Sequence, residues 1–295
     1  MVPELLVLPA AGPFAGLMRG TTLLWPSGMP DMSHFPVLMY HRILSGEQPV
    51  DVADERPWSV TLDDFVWQMD RIRQTGRVGV SMREVHTALT SGGAVPAEWV
   101  AITFDDGNAS DHAHASPVLT ARGFRATFFV CGNRIDSGGG LSRAMIHHMV
   151  AAGMHIGSHA MTHRFLPSLT MDEERAELLE SRRALEAIVE GSVDHFAPPG
   201  GRWSARTART LRDLSYRAVS TSVFGYNGSN RPRFAYRRIP IVRATTRDHF
   251  DIILRGDRRR LLGGYARSMA LSAVRGALGE AAYSKLRAVR PGGES

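Results

Sequence analysis

Short apolar runs, each bounded by turn residues and separated by segments of helical spacing, constrain the fold of this chain more than any other feature. Pro36-Val37-Leu38-Met39-Tyr40 is the first, followed by 100–104, 125–130, 154–159, 195–197, 216–222 and 237–242. A brief, nearly continuous apolar run fits a strand buried on both faces. Between the runs lie amphipathic stretches. Thr61 can cap a helix over 61–73, with Phe65, Met69 and Ile72 on one face, and Ser81 can cap another over 81–89. Further helices read over 114–122, 141–152, 204–214 and 247–255. The clearest is 170–190, whose Asp172, Glu173 and Glu174 sit at its positive end. About seven strands alternating with helices predict an α/β fold with a parallel sheet, either open or closed as a barrel. In both architectures the working residues collect at the carboxyl ends of the strands.

The chemistry-bearing residues fall at such ends. Val100-Ala101-Ile102-Thr103-Phe104 stops at Asp105-Asp106-Gly107. Successive strand residues face opposite ways, so two adjacent carboxylates can be aimed differently, one at a cation and one at a proton. Taken alone, Asp-Gly is equally a plain turn. His159 and His163 stand four apart after another strand, and imidazole suits zinc and similar ions. An isolated pair of this kind reads first as two surface histidines. His41 ends the first strand, and Pro198-Pro199-Gly200-Gly201 stops a later one.

Charge and composition exclude some classes. The net charge is +6, yet the densest basic cluster is Arg258-Arg259-Arg260, too little for a nucleic-acid surface. Cys131 is the only cysteine, which excludes an intrachain disulfide and a cysteine-based zinc site; following Thr127-Phe128-Phe129-Val130, it reads as a buried structural thiol. No apolar run reaches the roughly 18 residues of a transmembrane span. Residues 1–31 lack the order of a secretory signal, since Glu4 precedes the apolar pieces and Arg19 follows them. They read as a disordered extension or as a mis-assigned start, with Met32 the true one. Residues 32–256 then form the folded domain, and 257–295 a helical tail. The expected location is cytoplasmic, with peripheral membrane contact through the basic tail as an option.

Together, Thr-Phe-Asp-Asp-Gly at a strand end, His-Ala-Met-Thr-His after another strand, and Phe-Ala-Pro-Pro-Gly-Gly-Arg further on resemble the polysaccharide deacetylase family, the NodB-homology or family 4 carbohydrate esterases. The opening Leu-Met-Tyr-His-Arg-Ile is similar to the first strand of many members, and the resemblance spans roughly residues 36 to 245. It implies a distorted (β/α) barrel of about seven parallel strands. It also implies hydrolysis of the N-acetyl group of a sugar of the N-acetylglucosamine type, in polysaccharide or glycoconjugate synthesis. Asp105 would be the general base, and Asp106, His159 and His163 would hold Zn2+ or another divalent ion such as Co2+ or Ni2+. An oxyanion donor is expected from the backbone after strand 125–130.

Three departures from the family pattern matter. Ala197 stands where an arginine often pairs with the base, and Arg202 is the expected substitute. Ala160 replaces a common Ser or Thr, with Thr162 available to take over hydrogen bonding. The late Leu-x-His motif that usually supplies the acid is missing; Arg237-Arg238-Ile239-Pro240-Ile241 occupies its region, and His41 is nominated instead. Pro199, Gly200, Arg202 and Trp203 are the expected substrate contacts. A non-catalytic carbohydrate-binding protein on the same fold is the competing reading.

Overall fold

Each of the apolar runs forms a strand, and the helical stretches connect them. The computed structural model describes residues 34–46, 57–228, 232–257 and 259–261. The expected extension over 1–31 and almost all of the tail lie outside these residues. In chain order the elements are β1 (His34–Phe35), β2 (Val37–Tyr40), β3 (Arg42–Leu44), β4 (Ser59–Thr61), α1 (Leu62–Gln74), β5 (Val78–Val80), α2 (Met82–Thr90), β6 (Trp99–Asp106), α3 (Ser116–Thr120), β7 (Thr127–Val130), α4 (Arg143–Ala151), β8 (His155–Ser158), α5 (Met171–Val189), β9 (His195–Phe196), α6 (Ala205–Asp213), β10 (Ala218–Phe224), β11 (Asn227–Gly228), β12 (Tyr236–Pro240) and α7 (Arg247–Arg255).

Seven strands, in the order β2-β6-β7-β8-β9-β10-β12, close into an all-parallel barrel when β12 pairs back onto β2. This resolves the choice between open sheet and barrel. Thr61 and Ser81 cap α1 and α2 as their sequence positions predict, and Thr170 caps α5 in a box with Glu173. Two features escaped the sequence reading. β5 is a three-residue strand containing Gly79, where a Cβ would fall 2.7 Å from the Ile102 side chain; it pairs with the start of β6. A further short strand, β4, lies just before α1 and pairs with β3 outside the barrel. Helix 114–122 begins a turn earlier than expected, as a π-helical turn over Asp111–Ala115 that runs into α3.

Alternation along the strands divides the core. One face packs against the helices: Phe104 stacks on Phe128 with centroids 4.6 Å apart and on Tyr40 at 5.2 Å, and Phe65 of α1 meets both Tyr40 and Phe104 edge-on. Full burial of side chains of this size contributes about 1.5–3 kcal/mol each. Thr103 and Asp105 alternate with this aromatic row and reach Arg238 of β12 instead. At the amino end of the barrel, Met82 and Val85 of α2 pack with Val37, Ala101, Ala218 and Tyr236, so α2 plugs that mouth. The carboxyl mouth carries Asp105, Asp106 and His159.

Candidate active site

Asp105 and Asp106 end β6, and the backbone separates them. Asp105 keeps the strand alternation and is buried. Asp106 adopts φ 82°, a left-handed conformation that breaks the alternation and turns its carboxylate away from the packed face. Gly107 follows with φ 76°, and a Cβ there would sit 2.8 Å from the Val130 side chain. Glycine is required at this turn on both counts.

Asp105 meets Arg238 in a two-pronged ion pair, with Nη1 to Oδ1 at 2.6 Å and Nη2 to Oδ2 at 2.8 Å. Arg238 is fully buried, and its Nε donates to the Thr221 carbonyl at 2.9 Å. Burial alone would raise the Asp105 carboxyl, but the adjacent guanidinium overrides it and holds the pKa below the ordinary carboxylate range. The arginine missing at position 197 is therefore supplied by β12. The expected substitute, Arg202, does not fill that role: it is exposed, and its guanidinium stacks over the Phe165 ring at 4.3 Å. Its position just beyond a solvent-facing turn keeps it out of the barrel.

Asp106 faces the histidine pair. Its Oδ1 lies 3.4 Å from His159 Nε2 and 3.3 Å from His163 Nε2. One ligand atom from each of the three residues lies within 4.8 Å of the others. His159 is buried, and its Nδ1 donates to the Ala197 carbonyl at 2.8 Å, which leaves the Nε2 lone pair facing Asp106. A carbonyl behind one imidazole nitrogen is the usual way a metal-binding histidine is oriented. His163 is 44% exposed at its side chain, so the cluster opens to solvent on that side. Two imidazoles and a carboxylate suit zinc or a similar divalent ion and leave coordination positions free. The donor set and the fixed tautomer of His159 both fit such an ion.

The loop carrying these histidines is strained and braced. Ala160 and His163 have φ 62° and 61°, which costs of order 1 kcal/mol per residue outside glycine. Glu177 of α5 holds it: Oε2 accepts from the Met161 amide at 2.9 Å and the Thr162 amide at 2.8 Å, while Oε1 accepts from the Thr162 hydroxyl. Thr162 thus does take over hydrogen bonding in this loop. Replacing Glu177 with alanine is expected to weaken zinc binding by about 10–100-fold, the range for supports behind a metal ligand. Competition against a chromophoric chelator measures this, and unchanged affinity would show that the loop holds its shape unaided.

His41 lies half-buried at the end of β2, with Nδ1 buried and unpartnered and its ring 4.8 Å from the exposed indole of Trp58. Burial lowers its pKa, and the charges of Asp105 and Asp106 act in the opposite direction. Asn108 fixes this corner: its Nδ2 donates to the His41 carbonyl at 3.2 Å, and its Oδ1 accepts from Arg134 at 3.0 Å and Arg42 at 3.3 Å. Asp111, fully buried in the π turn, accepts from the Asn108 amide at 3.0 Å. Burial, reinforced by Asp106, holds its carboxyl well above the ordinary range.

The Pro-Pro-Gly-Gly turn flanks the histidine loop. Gly200, with φ 59°, approaches Phe165 so closely that a Cβ would fall 2.6 Å from its ring. Pro199 is buried, and Trp203 is partly buried against a cluster that contains Ala160 and Phe196. The fully exposed side of the turn belongs to Gly200 and Arg202. The expected oxyanion donors after β7 are already engaged: the amides of Cys131, Gly132 and Asn133 donate to the carbonyls of Asp106, Ala160 and Met161. They tie three loops together and are not available to a ligand. Cys131 is buried, and burial pushes its thiol up to about 12, as suits a structural residue.

This geometry agrees with what known proteins show. A family model described as polysaccharide deacetylase matches residues 92–219, which carry both aspartates, both histidines and the proline turn. That segment is a polysaccharide deacetylase domain. A Bacillus subtilis protein named for this family, YxkH, is 26% identical over 206 residues, covering 70% of this chain and 71% of its own. A chitooligosaccharide deacetylase of Sinorhizobium fredii is 34% identical over 141 residues, covering 47% of this chain and 63% of its own. Among solved structures, the Streptococcus pyogenes deacetylase PplD in complex with acetate superposes with a TM-score of 0.69 at 24% identity, over 75% of this chain and 98% of that one, and so supports the barrel fold. The family match begins after β2 and ends inside β10. His41 and Arg238, which complete the mouth, thus lie outside the matched segment.

Proposed function

We propose that this protein is a metal-dependent carbohydrate deacetylase that hydrolyses the acetamide of an N-acetylated sugar to acetate and a free amine. The observation that carries the reading is the division of labour between adjacent aspartates: Asp105 is held by Arg238, and Asp106 faces His159 and His163. Asp106, His159 and His163 would hold the ion, which supplies Lewis acidity and an acidified water when bound. Asp105, kept ionised by Arg238, accepts the proton of the attacking water. The Gly200 amide, at the head of the one-turn helix Pro199–Gly201, is placed beside the histidine loop and is the proposed donor to the acetyl oxygen. His41 passes a proton to the nitrogen as the C–N bond breaks, since an amide anion would be a poor leaving group. The exposed Trp58 indole beside His41 offers a face for a sugar ring, and Arg202 and Trp203, at the end of the proline turn, are the further proposed contacts.

Relatives named as polysaccharide and chitooligosaccharide deacetylases support the reaction class, and the proposed setting is polysaccharide or glycoconjugate synthesis. Among the described residues no helix is long and apolar enough to cross a membrane. Acetate release from N-acetylglucosamine oligomers tests the reading. Release is expected with the purified chain, to be abolished by chelation and restored by Zn2+ or Co2+. Binding of the oligomers without acetate release under any metal would favour the non-catalytic carbohydrate-binding alternative.

A further inference from the structure

The barrel has a second polar centre, at its amino end. His155 begins β8 and His195 begins β9, while the carboxyl mouth with the catalytic residues lies at the other ends of these strands. His155, His195 and Asp194 are all buried, and one ligand atom from each lies within 4.8 Å of the others. The two imidazoles meet edge to face with centroids 4.7 Å apart. His86 of α2, the helix that plugs this mouth, lies against His195 at 5.3 Å.

The hydrogen bonds of this group are incomplete in a specific way. His195 Nδ1 donates to Asp194 Oδ1 at 2.8 Å, and His155 Nδ1 is paired with the Thr127 hydroxyl at 3.0 Å. That leaves the Nε2 atoms of both histidines, and Nδ1 of His86, buried without a partner. Each such nitrogen forgoes its hydrogen bonds to water, and buried polar atoms of native proteins are rarely left so. An ion held by Asp194 would take the place of the proton between its Oδ1 and His195 Nδ1, so Asp194 counts as a ligand and not as a support. The cationic neighbours are peripheral: Arg217 reaches the second oxygen of Asp194 at 3.5 Å from a side chain that is 68% exposed.

We infer that His155, His195 and Asp194 form a second site for a divalent transition ion of the zinc class, flanked by His86 of the plug helix, closed from solvent and structural in role. Imidazole donors favour zinc-type ions over magnesium or calcium, and a closed site suits structure better than catalysis. It ties the starts of β8 and β9 to the plug helix α2. It is independent of the proposed reaction, because its ligands lie at the opposite end of the barrel.

The test removes the first cluster and asks what metal remains. The full chain carrying His159→Ala and His163→Ala is saturated with Zn2+, dialysed, and analysed for metal. About one equivalent of zinc is expected to remain, and its melting temperature should rise by several degrees over the zinc-free form. Substituting Co2+ should give the visible absorption of a four-coordinate site. Adding His155→Gln and His195→Gln should abolish both signals, whereas adding His112→Ala and His148→Ala, a surface pair, should leave them. If the pair of glutamine substitutions prevents folding, the cobalt spectrum of the parent variant still decides. A parent variant that retains no zinc and shows no cobalt band overturns the inference, whether or not the chain deacetylates sugars.

Discussion

Replacing Arg238 with methionine is expected to destabilise the protein by roughly 3–5 kcal/mol, the cost of leaving one member of a buried ion pair without its partner. Arg238 is fully buried, and besides Asp105 its guanidinium meets Thr103 and Thr221 and lies 5.6 Å from the Phe129 ring. Methionine fills much of the same volume, so the loss would come mainly from the stranded Asp105 carboxylate and not from a cavity. Adding Asp105→Leu should recover most of the stability, since both charges are then gone. The double-mutant cycle should therefore show strong coupling. Activity should not recover. In Arg238→Met alone, the base loses the fork that fixes its orientation, and turnover is expected to fall by at least ~100-fold. Arg238→Lys restores charge without the planar fork and should rescue little. Urea unfolding and acetate release measure the two effects. Wild-type stability in Arg238→Met would show that Asp105 finds another partner.

Arg238 also shows where sequence reading stops. The barrel was legible because each strand carried its own apolar run, and Asp105, Asp106, His159 and His163 were legible because they stand at strand ends in local motifs. Arg238 pairs with Asp105 across 133 positions of sequence. No local pattern marks it, and next to Arg237 it reads as one of two basic residues on a strand edge. Only closure of β12 onto β2 brings it inward. Glu177 was more accessible: it lies on the same face of α5 as Leu178, Ser181 and Leu185, and an acid on a buried face calls for a partner. The amides after β7 were misjudged for a related reason. Whether an N–H is free depends on which loops lie beside it, and here the Asp106 and His159 loops occupy all three. Arg202 failed as the partner of Asp105 because proximity in the motif says nothing about which way the turn faces.

The second large effect separates the two aspartates. Asp105→Asn is expected to keep zinc affinity within a few-fold of wild type while lowering turnover by ~100- to 10,000-fold, the span of general base catalysis. His159→Ala should do the opposite in order of cause: it removes the buried ligand held by the Ala197 carbonyl, so metal is lost first and activity with it. Excess Zn2+ should then restore part of the activity of His159→Ala and none of that of Asp105→Asn. The distinction follows from geometry, because Asp105 has both oxygens engaged by Arg238 while Asp106 directs Oδ1 at both imidazoles. His41→Ala can be placed with the same two readings: normal metal content with low turnover would class it with Asp105, as a group that handles protons. If Asp105→Asn instead loses its metal, Asp105 is itself a ligand or sets the position of Asp106. The base must then be sought among the remaining groups at the mouth, of which His41 is one that can take a proton.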